Sequence, residues 1–166
     1  MRINLTKTDK TIYCFVGIPC AGKSTKVNEL KKISNFEVLS RDDIREIFIS
    51  KDYIYTKENE AKVTKIFNEL YDEYVRQGSF IILDNTHCKE KYLQEVLKKV
   101  PEGYIIIFMF FDIPLWKAYY RNVLRYIWKG KWIPFKVIRD MKNNYDKIDR
   151  SKYLMRQVTY ETNSSR

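Results

Sequence analysis

One stretch of nine residues carries the strongest chemical signal in the chain: Gly17, Ile18, Pro19, Cys20, Ala21, Gly22, Lys23, Ser24 and Thr25. It fits G-x-x-x-x-G-K-[ST] in full, the pattern of a backbone loop that cradles phosphate. The chemistry requires these residue types. Glycine lets the chain wrap closely enough for successive N–H groups to converge on phosphate oxygens. A helix starting directly behind the loop adds positive potential at its N-terminus. Lys23 can reach β- and γ-phosphates, and the Ser24 hydroxyl can ligate Mg²⁺. A plain strand-to-helix turn would explain the two glycines but not Lys-Ser-Thr in that order. ATP with Mg²⁺ is therefore the expected ligand pair. Cys20 within the loop reads as a small filler, not as a nucleophile.

The second candidate is Ser40-Arg41-Asp42-Asp43-Ile44-Arg45. A hydroxyl attacking a γ-phosphate needs a nearby base to take its proton, and Asp42 is the candidate. The plainer alternative is that Asp42 or Asp43 caps the helix that follows. Arg45 lies one turn beyond Asp42 on nearly the same helical face, so it could hold an acceptor phosphate beside the base, or simply pair with Asp42. A third group, Lys117, Arg121, Arg125 and Lys129, recurs every four residues and so forms one cationic helical face. Such a row could close over ATP or track phosphates; a solvated basic face would normally interleave acids with the cations.

These groups need elements to hold them. Thr11–Val16, Phe36–Leu39, Ser79–Leu83 and Tyr104–Phe111 are continuous apolar runs of strand length. Helical periodicity falls between them at 23–32, 42–48, 58–77 and 89–99, and again at 114–129 and 134–147, where a proline opens each segment. Strands alternating with helices, each strand apolar throughout, predict an α/β fold with a mostly parallel sheet covered on both faces. In such sheets ligands bind beyond the carboxyl ends of the strands. That rule gathers the phosphate loop, Arg41 to Arg45, Asp84 to His87, and Asp112 at one site.

Length and composition narrow the classes further. The chain has 166 residues and a net charge of +10, enough for one domain with a substantial core. Residues 113–166 hold 13 basic and 4 acidic side chains, so +9 of the charge sits in the last third. A field of one sign suits a polyanionic ligand, although a solvated surface would also carry it. No apolar run approaches the roughly 18 residues of a membrane span, and the first ten residues lack an apolar signal core. Three cysteines cannot build a full disulfide framework and lack the paired spacing of a zinc site, which fits a reducing cytoplasm. His87 is the only histidine and can form neither a metal site nor a triad by itself. Neither an N-K-x-D base-reading motif nor a strand ending in Asp-Glu is present, which favours a small kinase over a G-protein or a motor ATPase.

In combination, the phosphate loop, Ser40-Arg-Asp-Asp-Ile-Arg45, Leu83-Asp-Asn-Thr86 and Tyr120-Arg-Asn-Val-Leu-Arg125 resemble the 5′-polynucleotide kinase family, its phage members in particular. The resemblance covers about residues 11–150. It implies a P-loop NTPase-type three-layer sandwich with a basic helical lid at about 114–133 and a short C-terminal tail at 150–166. It further implies transfer of the ATP γ-phosphate to the 5′-hydroxyl of RNA or DNA. Lys23 and Ser24 would hold the ATP phosphates and Mg²⁺, Asp42 would be the general base, and Arg45 would contact the phosphate next to the 5′ end. Arg41, Asp84 and Thr86 would complete the acceptor side. Arg121 and Arg125 would reach ATP from the lid, with Arg125 over the transferring phosphate. His87 stands where the family often has Asn, and no role is carried onto it. The length leaves no room for a fused phosphatase or ligase domain, so 3′-end processing and sealing would fall to separate proteins. A role in nucleic-acid end repair, in an infected host's cytoplasm for a viral member, is part of the same implication. Two other readings stand beside it: a small-molecule kinase acting on a sugar, nucleoside or antibiotic, and a non-catalytic nucleotide-gated nucleic-acid-binding module. No membrane partner is expected, and the sequence leaves homo-oligomerisation open.

Overall fold

The computed structural model describes residues 10–49 and 53–161. Its five strands are β1 (Lys10–Val16), β2 (Phe36–Leu39), β3 (Phe80–Leu83), β4 (Tyr104–Asp112) and β5 (Gln157–Glu161). They form one sheet in the order β2-β3-β1-β4-β5, and every neighbouring pair is parallel. The helices are α1 (Lys23–Lys31), α2 (Arg41–Ile44), α3 (Lys57–Arg76), α4 (Glu90–Lys98), α5 (Leu115–Lys129) and α6 (Phe135–Tyr145). A π-helical turn, Arg45–Ile49, continues α2, and a 3-10 segment, Arg150–Arg156, leads into β5.

The central strands are buried on both faces, which is why they read as unbroken apolar runs. Ile12 to Val16 of β1 and Phe108 to Phe111 of β4 are all buried. The register stacks them across the sheet, with Cys14 of β1 opposite Leu83 of β3 and Phe108 of β4. Each such side chain removed from water contributes about 1.5–3 kcal/mol before the entropy of ordering is subtracted. From β1 to β2 the chain crosses the sheet in one direction. From β2 to β3 and from β3 to β4 it crosses in the other. Right-handed crossovers then put α1 on one face and α3 and α4 on the opposite face. The loops after β1 and β3 therefore diverge from adjacent strands and open a crevice at their carboxyl ends.

The structure differs from the sequence expectations in three places. The segment 42–48, expected as one helix, is a single α turn passing into a π turn. Pro114 and Pro134 are N-caps with non-helical ψ of 143° and 135°, so helical geometry begins one residue later at Leu115 and Phe135. The region expected as a tail instead adds a strand, with β5 pairing along β4 from Phe108↔Gln157 to Asp112↔Glu161. The frayed end expected at 161–166 lies, beyond Glu161, outside the described residues, as does the segment before Lys10. Among the described residues, no helix is long and apolar enough to cross a membrane.

Candidate active site

The loop from Gly17 to Thr25 leaves β1 and runs into α1. Its first glycine is imposed by packing, because a Cβ there would lie 2.9 Å from Phe111 Cβ and 3.2 Å from the Phe111 carbonyl oxygen. The Gly17 N–H donates to the Thr86 carbonyl at 2.9 Å, tying the loop to the segment after β3. Cys20 and Gly22 both take left-handed backbone, at φ 64° and 97°. Alternation of this kind curls the chain into a concave nest of N–H groups, the cradle an anion needs. Gly22 is the N-cap of α1, no side chain caps it, and no acid occupies the first turn. The leading N–H groups of α1 are thus left for a ligand. Lys23 is folded across the loop, its Nζ donating to the Gly17 carbonyl at 2.9 Å and to the Ile18 carbonyl at 3.0 Å. Burial pulls its pKa down, and the carboxylate of Asp84 is the strongest influence opposing that shift. The Ser24 and Thr25 side chains are exposed at the start of α1.

The second strand end contains an ion-pair cluster. Ser40, not Asp42 or Asp43, is the cap of α2, its Oγ accepting from the Asp43 N–H at 3.3 Å. The capping alternative for the two aspartates is thereby corrected, since Ser40 comes first after the strand and is already in extended geometry. Asp42 is left 82% exposed, and Arg45 NH1 lies 2.6 Å from its carboxylate, the plain pairing that the sequence offered as the alternative to an acceptor-phosphate contact. Arg45 also grips Glu60 of α3 in bidentate fashion, at 2.9 Å from Nε and 3.1 Å from NH2. Arg41 NH2 reaches the same carboxylate at 3.0 Å, and the Tyr53 hydroxyl donates to it at 2.8 Å. The hydrogen bond from Arg45, against the cost of burial and with help from Tyr53 and Arg41, brings the Glu60 pKa to about 2. Burial opposes the Arg45 charge, but Glu60 outweighs it and raises the Arg45 pKa. The rings of Tyr53 and Tyr55 lie against the Arg45 guanidinium, at 5.7 and 5.2 Å. Asp43 is pushed up by burial and then by Asp42 and Glu46.

At the third strand end, the Asp84 N–H donates to the Leu39 carbonyl at 3.0 Å, while Asn85 Oδ1 accepts from the Arg41 N–H at 3.0 Å. Burial raises the Asp84 pKa, with Lys23 the principal counterweight. Phosphate loop, β2 end and β3 end are thereby brought into one electrostatic neighbourhood. Thr86 contributes its carbonyl, which accepts from Gly17 N–H and from the Cys88 thiol. His87 has a left-handed backbone at φ 44° and donates from Nδ1 to the Phe15 carbonyl at 2.9 Å. Burial holds it neutral, with a pKa lowered to about 4. Asp112 departs from the expectation that it faces the same site. Arg150 grips it at 2.6 and 2.8 Å, the Tyr145 hydroxyl donates to it at 2.9 Å, and the three together fasten the segment after α6.

The basic row lies on α5. Arg121 NH1 donates to the Cys20 carbonyl at 3.2 Å, so this face of α5 overlies the phosphate loop. Arg125 is one turn further along and half-buried, without a carboxylate partner among the described residues. The buried Asn122 clamps the loop to α6, donating to and accepting from the backbone of Ile133. From that loop, Lys131 pairs with Glu46 of the π turn at 2.8 Å. Glu60, Asn122 and the Lys131–Glu46 pair were not identifiable as site residues from sequence. Each acts through a partner 11 or more positions away. Among the described residues, no group of three or more His, Cys, Asp and Glu side chains could hold a metal ion.

Known proteins share this fold. Among solved structures, a chain of the Pnkp1/Rnl/Hen1 RNA repair complex matches with a TM-score of 0.77 at 24% identity, over 88% of this chain and 47% of that one. A sugar kinase from Janibacter sp. HTCC2649 matches at 0.64 and 15% identity, over 92% and 85% of the two chains. A gluconokinase from Sinorhizobium meliloti 1021 matches at 0.61 and 12% identity, over 95% and 86%. At these identities the likeness is one of fold, that of P-loop kinases, and the chain spans about half the length of the repair-complex chain. No curated protein sequence matches it. Residues 12–148 match the AAA domain family, and the chain belongs to that family.

Proposed function

We propose that the chain transfers the γ-phosphate of ATP to the 5′-hydroxyl end of a nucleic-acid strand. The observation that carries this reading is an exposed carboxylate, Asp42, at the end of β2, close enough to the phosphate loop to act on the charge of Lys23, with the Arg45 guanidinium beside it. A base and an anion-binding group side by side match an acceptor whose hydroxyl adjoins a phosphate. The +9 charge of residues 113–166 supports a polyanionic acceptor over a neutral sugar.

ATP and Mg²⁺ fit the residues present. The left-handed positions of the loop, its bare helix N-terminus and Lys23 suit the β- and γ-phosphates, and the exposed Ser24 hydroxyl suits the metal. Mg²⁺ bound there would neutralise charge on the phosphates. In the transfer, Asp42 takes the proton as the 5′-oxygen bonds to the γ-phosphorus and the bridge to the β-phosphate breaks, releasing ADP. Arg45 lets go of Asp42 to hold the neighbouring acceptor phosphate, while Glu60 keeps its guanidinium oriented. Lys23 and Arg125 stabilise the charge spread over the transferring group.

The test is transfer of labelled phosphate from ATP to an oligonucleotide, a nucleoside and gluconate. Asp42→Asn should lower transfer to the oligonucleotide on the order of 10²- to 10⁴-fold while leaving ATP binding intact. Arg45→Ala should impair a 5′-hydroxyl, 3′-phosphate nucleotide far more than a plain nucleoside. Transfer to gluconate alone, or a near-parental rate for Asp42→Asn, overturns the reading.

A further inference from the structure

The side of α5 that faces away from the phosphate loop carries an apolar surface that the kinase chemistry does not use. Trp116, Tyr120, Val123 and Ile127 follow one another at spacings of four, three and four, which confines them to an arc of about 60°. Trp116, Tyr120 and Ile127 are 69%, 60% and 68% exposed. Beside the stripe, Tyr126 and the half-buried Tyr119 of α5 are linked by Trp132 of the following loop and Phe135 of α6 into a ladder of rings with centroids 5.8, 4.9 and 4.4 Å apart. Folded domains seldom leave an aromatic area of this extent bare unless something docks on it.

The charge around the surface identifies the occupant. Residues 115–137 contain seven aromatic side chains, six cations and no carboxylate; Arg121 and Arg125 serve ATP on the proposed reading and Lys131 pairs with Glu46, so the rim counted toward a strand is Lys129 and Lys136. A protein partner would meet an apolar patch with a rim of uniform sign. A single-stranded nucleic acid offers both complements at once, base faces for the rings and phosphates for the cations. Position agrees. The loop that bears Trp132 is fastened to the acceptor side by the Lys131–Glu46 pair, and Glu46 directly follows Arg45. A strand whose 5′ end sits at Asp42 and Arg45 would meet Trp132 as it leaves, then Tyr126 and the stripe along α5.

We propose that the outer face of the lid, from Trp132 through Tyr126 to Tyr120 and Trp116, is a stacking platform for single-stranded nucleic acid downstream of the phosphorylated end. As a platform for the acceptor it rests on the kinase reading, but binding can be measured without transfer. The probe is a 5′-phosphorylated twelve-mer, which offers no 5′-hydroxyl, titrated without ATP and followed by tryptophan fluorescence and anisotropy. Trp116→Ala and Trp132→Ala should each weaken binding about tenfold, the range of one base–aromatic stack, without changing the salt slope because no charge is removed. Trp132→Phe should retain most of the affinity, which separates stacking from a folding defect. Lys129→Ala should lessen the log–log salt slope by about 0.7. Affinities unchanged in both alanine variants overturn the platform. So does a concentration-dependent dimer that Trp116→Ala abolishes, since the face would then be covered by a second copy of the chain. A parent that binds the twelve-mer but phosphorylates no 5′-hydroxyl leaves the platform standing and removes the kinase reading. A parent that phosphorylates 5′-hydroxyls while the variants bind normally does the reverse.

Discussion

Glu60→Gln tests the acceptor side most directly, because one carboxylate there holds two guanidiniums and a phenol. In the folded chain Glu60 titrates near 2, against an ordinary 4.5. At about 1.4 kcal/mol per unit, that difference would be worth about 3 kcal/mol in a fully shielded site. The Glu60 side chain is 33% exposed, and screening reduces the figure to about 1–2 kcal/mol. The sign follows from the direction of the shift. A folded-state pKa below the unfolded one means the stabilisation is complete above pH 4.5 and drains away as pH falls toward 2. Glutamine keeps the shape but leaves Arg41 and Arg45 without their shared counter-charge. Urea unfolding at pH 7 should therefore show a loss of about 1–2 kcal/mol, shrinking when the same comparison is made at pH 3. If Arg45 and Asp42 act as proposed, the acceptor KM should rise more than kcat falls, because Arg45 loses its orientation while Asp42 is untouched. An equal loss at both pH values, or none at pH 7, would refute the argument that Glu60 acts as an ionised clamp.

Two further outcomes follow from the phosphate loop and its neighbours. Gly17→Ala should cost about 1–3 kcal/mol in urea unfolding and weaken ATP binding, since the new methyl meets Phe111 of β4 at 2.9 Å with no flexible side-chain end to yield. His87, neutral in the fold with a pKa near 4 against 6.5 in the unfolded chain, should make stability decline as pH falls from 6.5 toward 4. His87→Gln should flatten that limb of the urea-midpoint profile, and an unchanged limb would assign it to other groups.

The parallel sheet was legible because its strands are buried on both faces and so appear as apolar runs with no periodicity to decode. The phosphate loop was legible for a different reason: its geometry needs Gly17, Gly22 and Lys23 in fixed order within one short segment. β5 left no such mark. Gln157-Val-Thr-Tyr-Glu161 is a mixed, polar stretch at the sheet edge, where one side has no neighbouring strand among the described residues. Glu60 was hidden because it sits in the acidic first turn of α3, where any helix would place a carboxylate, and its arginine partners lie 15 and 19 residues earlier. Asp112 misled for the opposite reason. It stands at a strand end where ligands bind, but Arg150, the group that claims it, lies 38 residues further on.

The Lys131–Glu46 pair has a thermodynamic consequence. It joins the α5 segment, which contacts the phosphate loop through Arg121, to the turn that follows Arg45; with ATP and the acceptor bound as proposed, each would alter the same contact. Reciprocity then requires that whatever factor one substrate gains from the other is returned in full. Both side chains are about half exposed, and pairs of this kind are worth at most about 1 kcal/mol. Substrate synergy through this bridge is thus capped at roughly fivefold, too little to impose a compulsory order of addition. It should fade at molar salt, where the screening length falls to about 3 Å. On the proposed reading either substrate binds first, and ionic strength sets how far the two are coupled.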